Sequence, residues 1–361
     1  MPRRHCATEN LSHEQRMLQQ RQVASRLLAE DSPTLTVQIT YHVLYNTEDQ
    51  NIALDRIADN HTQLNRCFSM TNSDIDRVPT TGNYGFAKEL VSDPKVLFLP
   101  VNDNSTVNVV RVSTSFTDIS LTSSKPNYVA NISPKVPGHL NIYIGNLENE
   151  VLGIAQLMSN ICVVLYTTVG GTTFPGTEPS YNIGRTMVHE VGHCFGLEHP
   201  WMTDNCTRSV NGLPKSKNPN YIATLDDDGE FGNHDLDVKN LPCPIQGTST
   251  SCCGGSPSTC CCSCTGADTV NGHYELFMNF MEYVDDENMV MFATGQSDAM
   301  YTWVNAQRAS GGVLDVAFLD PSVTLPPPDV DDGSFNLAWL ALIVPVAFAI
   351  IFLIIWYSVR H

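Results

Sequence analysis

Positive charge is what this sequence most lacks. Its 361 residues carry 20 Lys and Arg against 38 Asp and Glu, a formal net charge of -18. A nucleic-acid surface needs clustered basic side chains to neutralise phosphates, so no nucleic-acid partner is expected. An apolar core is missing from the amino-terminal stretch MPRRHCATENLSHEQRMLQQRQ, which therefore does not read as a secretory signal peptide. Internal repeats are absent too, which excludes solenoids and propellers. Apolar residues, by contrast, make up 42% of the chain. That composition is globular, excludes disorder of the whole chain, and suffices for one large core or two modest ones.

Twelve cysteines are present, six of them in the run CCGGSPSTCCCSC from Cys252 to Cys264. That density suggests an oxidising compartment and disulfides in the run, with a second zinc site held by thiolates as the alternative. Five Asn-x-Ser/Thr sequons, at Asn10, Asn60, Asn104, Asn131 and Asn205, fit a secreted surface. Near the carboxyl end, LAWLALIVPVAFAIIFLIIWY, Leu337 to Tyr357, is uncharged and long enough to cross about 30 Å of hydrocarbon as a helix. A lipid bilayer is thus an expected partner, a buried core helix being the other way to use such a run. Asp329, Asp331 and Asp332 precede it and Arg360 follows, which sets the large domain on the extracytoplasmic side.

Along the chain, residues 1–33 form a polar, helix-prone leader. Thr34 to Tyr45 reads as a strand, and Ile52 to Phe68 as a helix placing Leu54, Ile57, His61 and Leu64 on one face. Further strands are expected at Lys95–Val101, Val107–Ser113, Leu140–Leu147 and Ile161–Thr168, and a long helix after Gly184. The fold class is therefore α/β (α+β), a twisted mixed sheet with an active-site helix. An irregular subdomain stabilised by disulfides or metal follows, with a Cys-rich loop at 243–264. The domain is expected to span 34–313, an acidic, Pro-rich linker 314–336, the membrane helix 337–357 and a short tail 358–361.

The chemistry is concentrated in TMVHEVGHCFGLEHPW, Thr186 to Trp201. Positions four apart share one helix face, so His189 and His193 can offer imidazole nitrogens to one metal ion. Gly196 allows a sharp turn that carries His199 back as a third ligand and leaves a fourth position open to water. An open His₃ zinc lowers the pKa of its water towards about 7, and Glu190 is placed to take the proton during attack on a carbonyl. Cys194, on the same helix, reads as a small packing residue. The expected cofactor is one catalytic Zn²⁺ and the expected substrates are proteins or peptides.

With Gly196 and His199 at this spacing and MNFMEY, Met278 to Tyr283, some eighty residues later, the chain resembles the metzincin metallopeptidases. GRTMVHEVGHCFGLEHPW, LGIAQL at Leu152 and NFMEYVDDENMVMFATGQSDAM are similar to the pappalysin family among them, over about Thr34 to Val313. The resemblance implies that Met281 is an apolar floor beneath the metal, that Tyr283 hydrogen-bonds the oxyanion, and that Glu287 shapes a pocket selecting Arg or Lys after the scissile bond. It also implies that Cys6, in RRHCAT, occupies the metal's open position in a latent form, although Ala7 stands where glycine is usual. Asn288 replaces a family cysteine, so one disulfide is expected to be absent or rerouted. LDDDGEFGNHDLDVKNLPCP is similar to the family's calcium-binding stretch, with Asn240 in place of an aspartate; a solvated acidic loop is the alternative to Ca²⁺.

The expected function is a membrane-anchored zinc endopeptidase. A surface adhesion or binding protein on the same fold, its catalysis vestigial, is the principal rival. A tail-anchored, cytosol-facing zinc protein is a third reading.

Overall fold

The structure is a computed structural model, and it describes residues 32–78, 80, 87–100, 107–115, 129–147, 151–197, 278–282 and 284–320. The amino-terminal leader, the Cys-rich loop and the apolar run at 337–357 lie outside these residues. Among the described residues no helix is long and apolar enough to cross a membrane. All the elements below fall within the first of the two compact units into which the chain divides, Met1–Pro327.

Seven strands form one mixed sheet around β1, Leu35–Tyr45. Along one side of β1 run β2 (Val96–Leu99) and β3 (Val109–Ser113), both parallel to it. Along the other lie β4 (Leu140–Gly145), parallel, and β7 (Val316–Phe318), antiparallel. Beyond β4 come β6 (Ile161–Leu165) and then the antiparallel β5 (Gly153–Ala155), giving the order β2-β1-β4-β6-β5. Among the described residues the α-helices are α1 (Leu54–Phe68), α2 (Ala87–Leu90), α3 (Val129–Ile132), α4 (Arg185–Cys194) and α5 (Thr294–Ala306).

Polar residues at alternate positions of β1 suggest a half-solvated strand, yet Thr40 and His42 are buried. A parallel strand at the middle of a sheet is covered on both faces, so its polar side chains need internal partners. His42 has them: Ser133 Oγ at 2.8 Å and Asn141 Oδ1 at 3.0 Å, with its ring stacked on Tyr143. Val37, Ile39, Tyr41 and Val43 face the larger core, which α1, α4 and α5 cover with Ile57, Leu64, Val188, Val191 and Trp303. Leu44 and Tyr143 face a smaller cluster closed by Val129 and Leu147.

Several expected details shift. Leu54, placed on the buried face of α1 by periodicity, is 42% exposed because it opens the helix, while Ile57, His61 and Leu64 are buried as expected. The strand expected at Ile161–Thr168 stops at Leu165 and continues as a single 3-10 turn. β7 lies in the stretch expected to be linker, where its three residues pair with Leu35–Val37. Asn60, a sequon, is fully buried, accepting from Gly170 N and donating to Gly184 O.

The polar side of α1 fastens the segment leading to α4. Arg56 donates to the carbonyls of Tyr166 and Val169, Asp59 Oδ2 accepts from Thr173 N and Phe174 N, and Gln63 donates to Thr172. His61, one turn on, is enclosed by Tyr41 Oη at 2.8 Å and the Pro100 carbonyl at 2.6 Å. Burial lowers its pKa from 6.5 to about 4. An imidazole kept neutral in the fold but free to protonate when unfolded costs stability once pH falls below the unfolded value. Between pH 7 and about pH 4.5 the wild type should lose about 2–3 kcal/mol more unfolding free energy than His61→Gln, measured by denaturant titration. Equal losses would show that His61 is not the group responsible.

Candidate metal and catalytic site

Helix α4 begins where Gly184 takes a left-handed conformation, φ +87. A side chain there would strike the Asn60 amide and the Gly170 carbonyl, so glycine is required on both steric and conformational grounds. All ten residues of α4 are buried. Its end follows the Schellman pattern: Gly196, at φ +92, donates to His193 O, and Leu197 N donates to Gly192 O. This reversal brings the Leu197 carbonyl onto His193 Nδ1 at 2.7 Å.

The second histidine is held in the same manner from another direction, as His189 Nδ1 meets the Phe280 carbonyl at 2.9 Å. A carbonyl only accepts, so each ring carries a proton on Nδ1 and turns Nε2, its acceptor nitrogen, towards the other ring. The two Nε2 atoms are 3.1 Å apart, with the rings nearly perpendicular. Two acceptor nitrogens at that distance call for a cation between them, whether a shared proton or a metal ion. Tetrahedral zinc with Zn–N bonds of about 2.0–2.1 Å separates its nitrogens by about 3.4 Å, close to the observed spacing. The donor set therefore fits a zinc-like ion, and the carbonyl partners are of the kind that orient metal-bound imidazoles. His199, the expected third ligand, lies outside the described residues, and among those residues no three His, Cys, Asp or Glu side chains form a metal-holding group.

Glu190 is 1% exposed and packs against Gly153 of β5. A Cβ at position 153 would overlap the Glu190 carboxylate and its Cγ. Gly153 thus keeps the carboxylate against the backbone of the outermost strand. Glycine inside a strand often marks such a close approach, and this was the available signal for a residue whose part the sequence reading did not assign.

Met278–Glu282 lies across α4. Met281 is fully buried, and a Cβ on Gly192 would lie 2.5 Å from its Sδ. The turn is fixed by Asn279, whose Oδ1 accepts from Met281 N and from Gln296 Nε2, while its Nδ2 donates to Gln296 Oε1. Tyr283 lies outside the described residues, as do Cys6 and the calcium-like stretch. Glu287 is described: it sits in a short 3-10 turn, Asp286–Asn288, with its side chain exposed and its carbonyl accepting from Arg77 Nη1 at 2.6 Å. Asn288, where a family cysteine was expected, is fully buried. Cys67, Cys162 and Cys194 are buried, and Cys194 donates to Ile161 O, in keeping with a packing role.

No protein-family model matches the chain. An extracellular metalloprotease of Sordaria macrospora is 28% identical over 185 residues, covering 48% of this chain and 51% of that protein. One from Colletotrichum graminicola is 29% identical over 157 residues, covering 44% and 42%. The chain thus spans about half the length of the curated relatives it matches. Among solved structures, mature mirolysin of Tannerella forsythia in complex with a cleaved peptide aligns with a TM-score of 0.53 at 26% identity, over 78% of this chain and 94% of that one. The mixed α/β architecture is shared with it.

Helix propensity alone would make Gly192→Ala stabilising by about 1 kcal/mol. Contact with Met281 reverses the sign: Gly192→Ala should cost about 1–3 kcal/mol by overpacking. In the Met281→Ala background the same change should instead stabilise by about 1 kcal/mol, as read from chemical unfolding of the four proteins in the cycle. A stabilised Gly192→Ala single variant would contradict the packing described.

Proposed function

We propose that the chain is a zinc-dependent endopeptidase of the metzincin type, related to the pappalysins, that hydrolyses peptide bonds in proteins or peptides. The observation that carries this reading is the pair of opposed lone pairs on His189 and His193, an arrangement that makes sense as one half of a metal site. The metalloprotease relatives, and the similarity to mirolysin with its cleaved peptide, support the same reaction class.

His189, His193 and His199 hold the metal, which when bound supplies Lewis-acid activation of a water molecule and of the scissile carbonyl. Glu190 would serve as general base towards the attacking water and as proton donor to the leaving amine. Its seat against Gly153 supports this role, because β5 is the outer strand of the sheet and an extended peptide added along it would bring its backbone past the carboxylate. Tyr283 donates to the developing oxyanion, and Met281 closes the apolar floor. Cys6 restrains the latent form, and Leu337–Tyr357 anchors the catalytic domain on the extracytoplasmic side of a membrane.

The test is elemental analysis of the full chain together with a peptide-cleavage assay. Glu190→Ala should retain zinc and lose turnover by a factor of about 10² or more. Gly153→Ala, which displaces the same carboxylate, should retain zinc and lower kcat more than it raises KM. Wild-type rates in Glu190→Ala, or full activity in metal-free protein, would refute the assignment.

Substrate choice follows from Glu287. Its exposed carboxylate lies four residues past Tyr283, and a carboxylate lining the pocket after the scissile bond favours Arg or Lys there. Because the carboxylate is exposed, its pairing with a basic side chain is a surface ion pair, enough for a preference of no more than about 5-fold. A peptide-library digest should show basic residues after the cut, and Glu287→Ala should erase that preference while sparing cleavage. Apolar residues dominating that position in wild-type products would refute it.

A further inference from the structure

Helix α4 carries no side-chain cap of its own, since its N-cap residue is Gly184. The capping acceptor comes from about a hundred residues later in the chain. Asp286 Oδ2 accepts from Ile183 N at 3.0 Å and from Arg185 N at 3.2 Å, and Asp286 N donates to Ser180 O. Asp286 is 1% exposed. A buried carboxylate at a helix amino terminus is held by the unpaired amides and favoured by the helix dipole.

Arg185, the first residue of α4, is buried to the same degree. Burying a guanidinium is costly unless its charge and donors are met. Asp74 takes a forked pair of bonds from Nη2 at 2.8 and 2.9 Å, Nη1 donates to Cys67 Sγ, and the guanidinium carbon lies 5.5 Å from the centre of the Phe280 ring. Burial pushes the Cys67 thiol up to about 12, so the sulfur meets the cation as a neutral acceptor. Phe280 is the residue whose carbonyl orients His189. The segment 280–286 therefore grips α4 at two levels: Asp286 at its first amides, and Phe280 through the Arg185 side chain below and the His189 ring above.

We infer that Asp286 and Arg185 are positioning residues for the metal, setting the placement of the Phe280 carbonyl against α4 and hence the direction in which His189 presents Nε2. The inference rests on the reading of His189 and His193 as ligands. Neither Asp286 nor Arg185 is placed to touch metal or substrate, so both act through Phe280 and the helix start.

The test measures affinity for Co²⁺ and Zn²⁺ by chelator competition on the full chain, with the Co²⁺ visible spectrum as a report of ligand geometry. Asp286→Ala should weaken binding about 10–100-fold, the range typical of residues behind a ligating histidine, and shift the spectrum. Asp286→Asn, which keeps an oxygen for the two amides, should recover most of the affinity. If Asp286→Ala fails to fold, Arg185→Lys and Phe280→Leu provide the same readout, because each removes the planar contact over the ring. Val129→Ala, which opens a cavity in the smaller cluster away from α4, serves as the control that lowers stability without altering metal affinity. Unchanged affinity and spectrum in the folded Asp286 and Arg185 variants, with wild type binding tightly and His189→Ala not, would overturn the inference alone. Equal weak binding by wild type and His189→Ala would overturn the ligand reading and the inference with it.

Discussion

Two imidazole lone pairs facing one another across 3.1 Å, with both rings buried, are the constraint around which this fold is organised. Nothing about a helix forces that arrangement. Histidines four apart share a face, but each ring has a rotamer choice and a tautomer choice, and in isolation they would avoid opposing two acceptors. Here both choices are made by backbone carbonyls. One belongs to the helix's own reversal at Gly196 and Leu197, the other to a turn far along the chain. An energetically unfavourable apposition held by surrounding structure is what a preorganised cation site requires, since the ion then gains the full benefit of two aligned donors without reordering them.

The remainder of the domain keeps those carbonyls in place. The larger core packs α4 against β1, β4 and β6, and α1 seals the other flank through its apolar side. Its polar side, Arg56, Asp59 and Gln63, instead binds backbone amides and carbonyls of residues 166–174. That segment would otherwise be a free connection directly ahead of α4. The turn at 279–281 is fixed to α5 by the reciprocal amide pair of Asn279 and Gln296. Each of these is a hydrogen bond made inside the protein, where leaving one partner unpaired costs more than the bond itself contributes.

Much of this was legible in the chain. The histidines four apart on one helix, the glycine at 196 and the strands β1, β2, β3, β4 and β6 follow from spacing and periodicity, because those signals are local, and the buried Met281 agrees with what the family resemblance implies. What escaped is non-local. Asp286 caps a helix one hundred residues earlier, and no window of sequence pairs an acidic residue after the methionine turn with Ile183 and Arg185. Gly153 lies in LGIAQL, and no window of sequence pairs it with the Glu190 carboxylate packed against it. β5 and β7 are three residues each, too short for alternation to register, and both form only because β6 and β1 offer ladders to join. α5, with TGQSDAMYTWVNA, hides its buried face behind Gln296, Ser297 and Asp298, polar residues that serve internal bonds.

The arrangement around Glu190 also bears on whether the site catalyses or only binds. A metal-holding adhesion protein needs its histidines and their carbonyl partners, and gains nothing from a carboxylate enclosed beside them. Burial of a carboxylate is unfavourable, so a structural site would be stabler with an apolar residue of similar volume. Position 153 deepens the contrast. Its backbone lies in the ordinary strand region, where alanine would be accepted without conformational strain and would remove the entropic disadvantage of glycine. The nearest atoms to a side chain there all belong to Glu190. Glycine at 153 and an enclosed carboxylate at 190 are what the proposed proton-transfer role uses, and metal binding alone calls for neither.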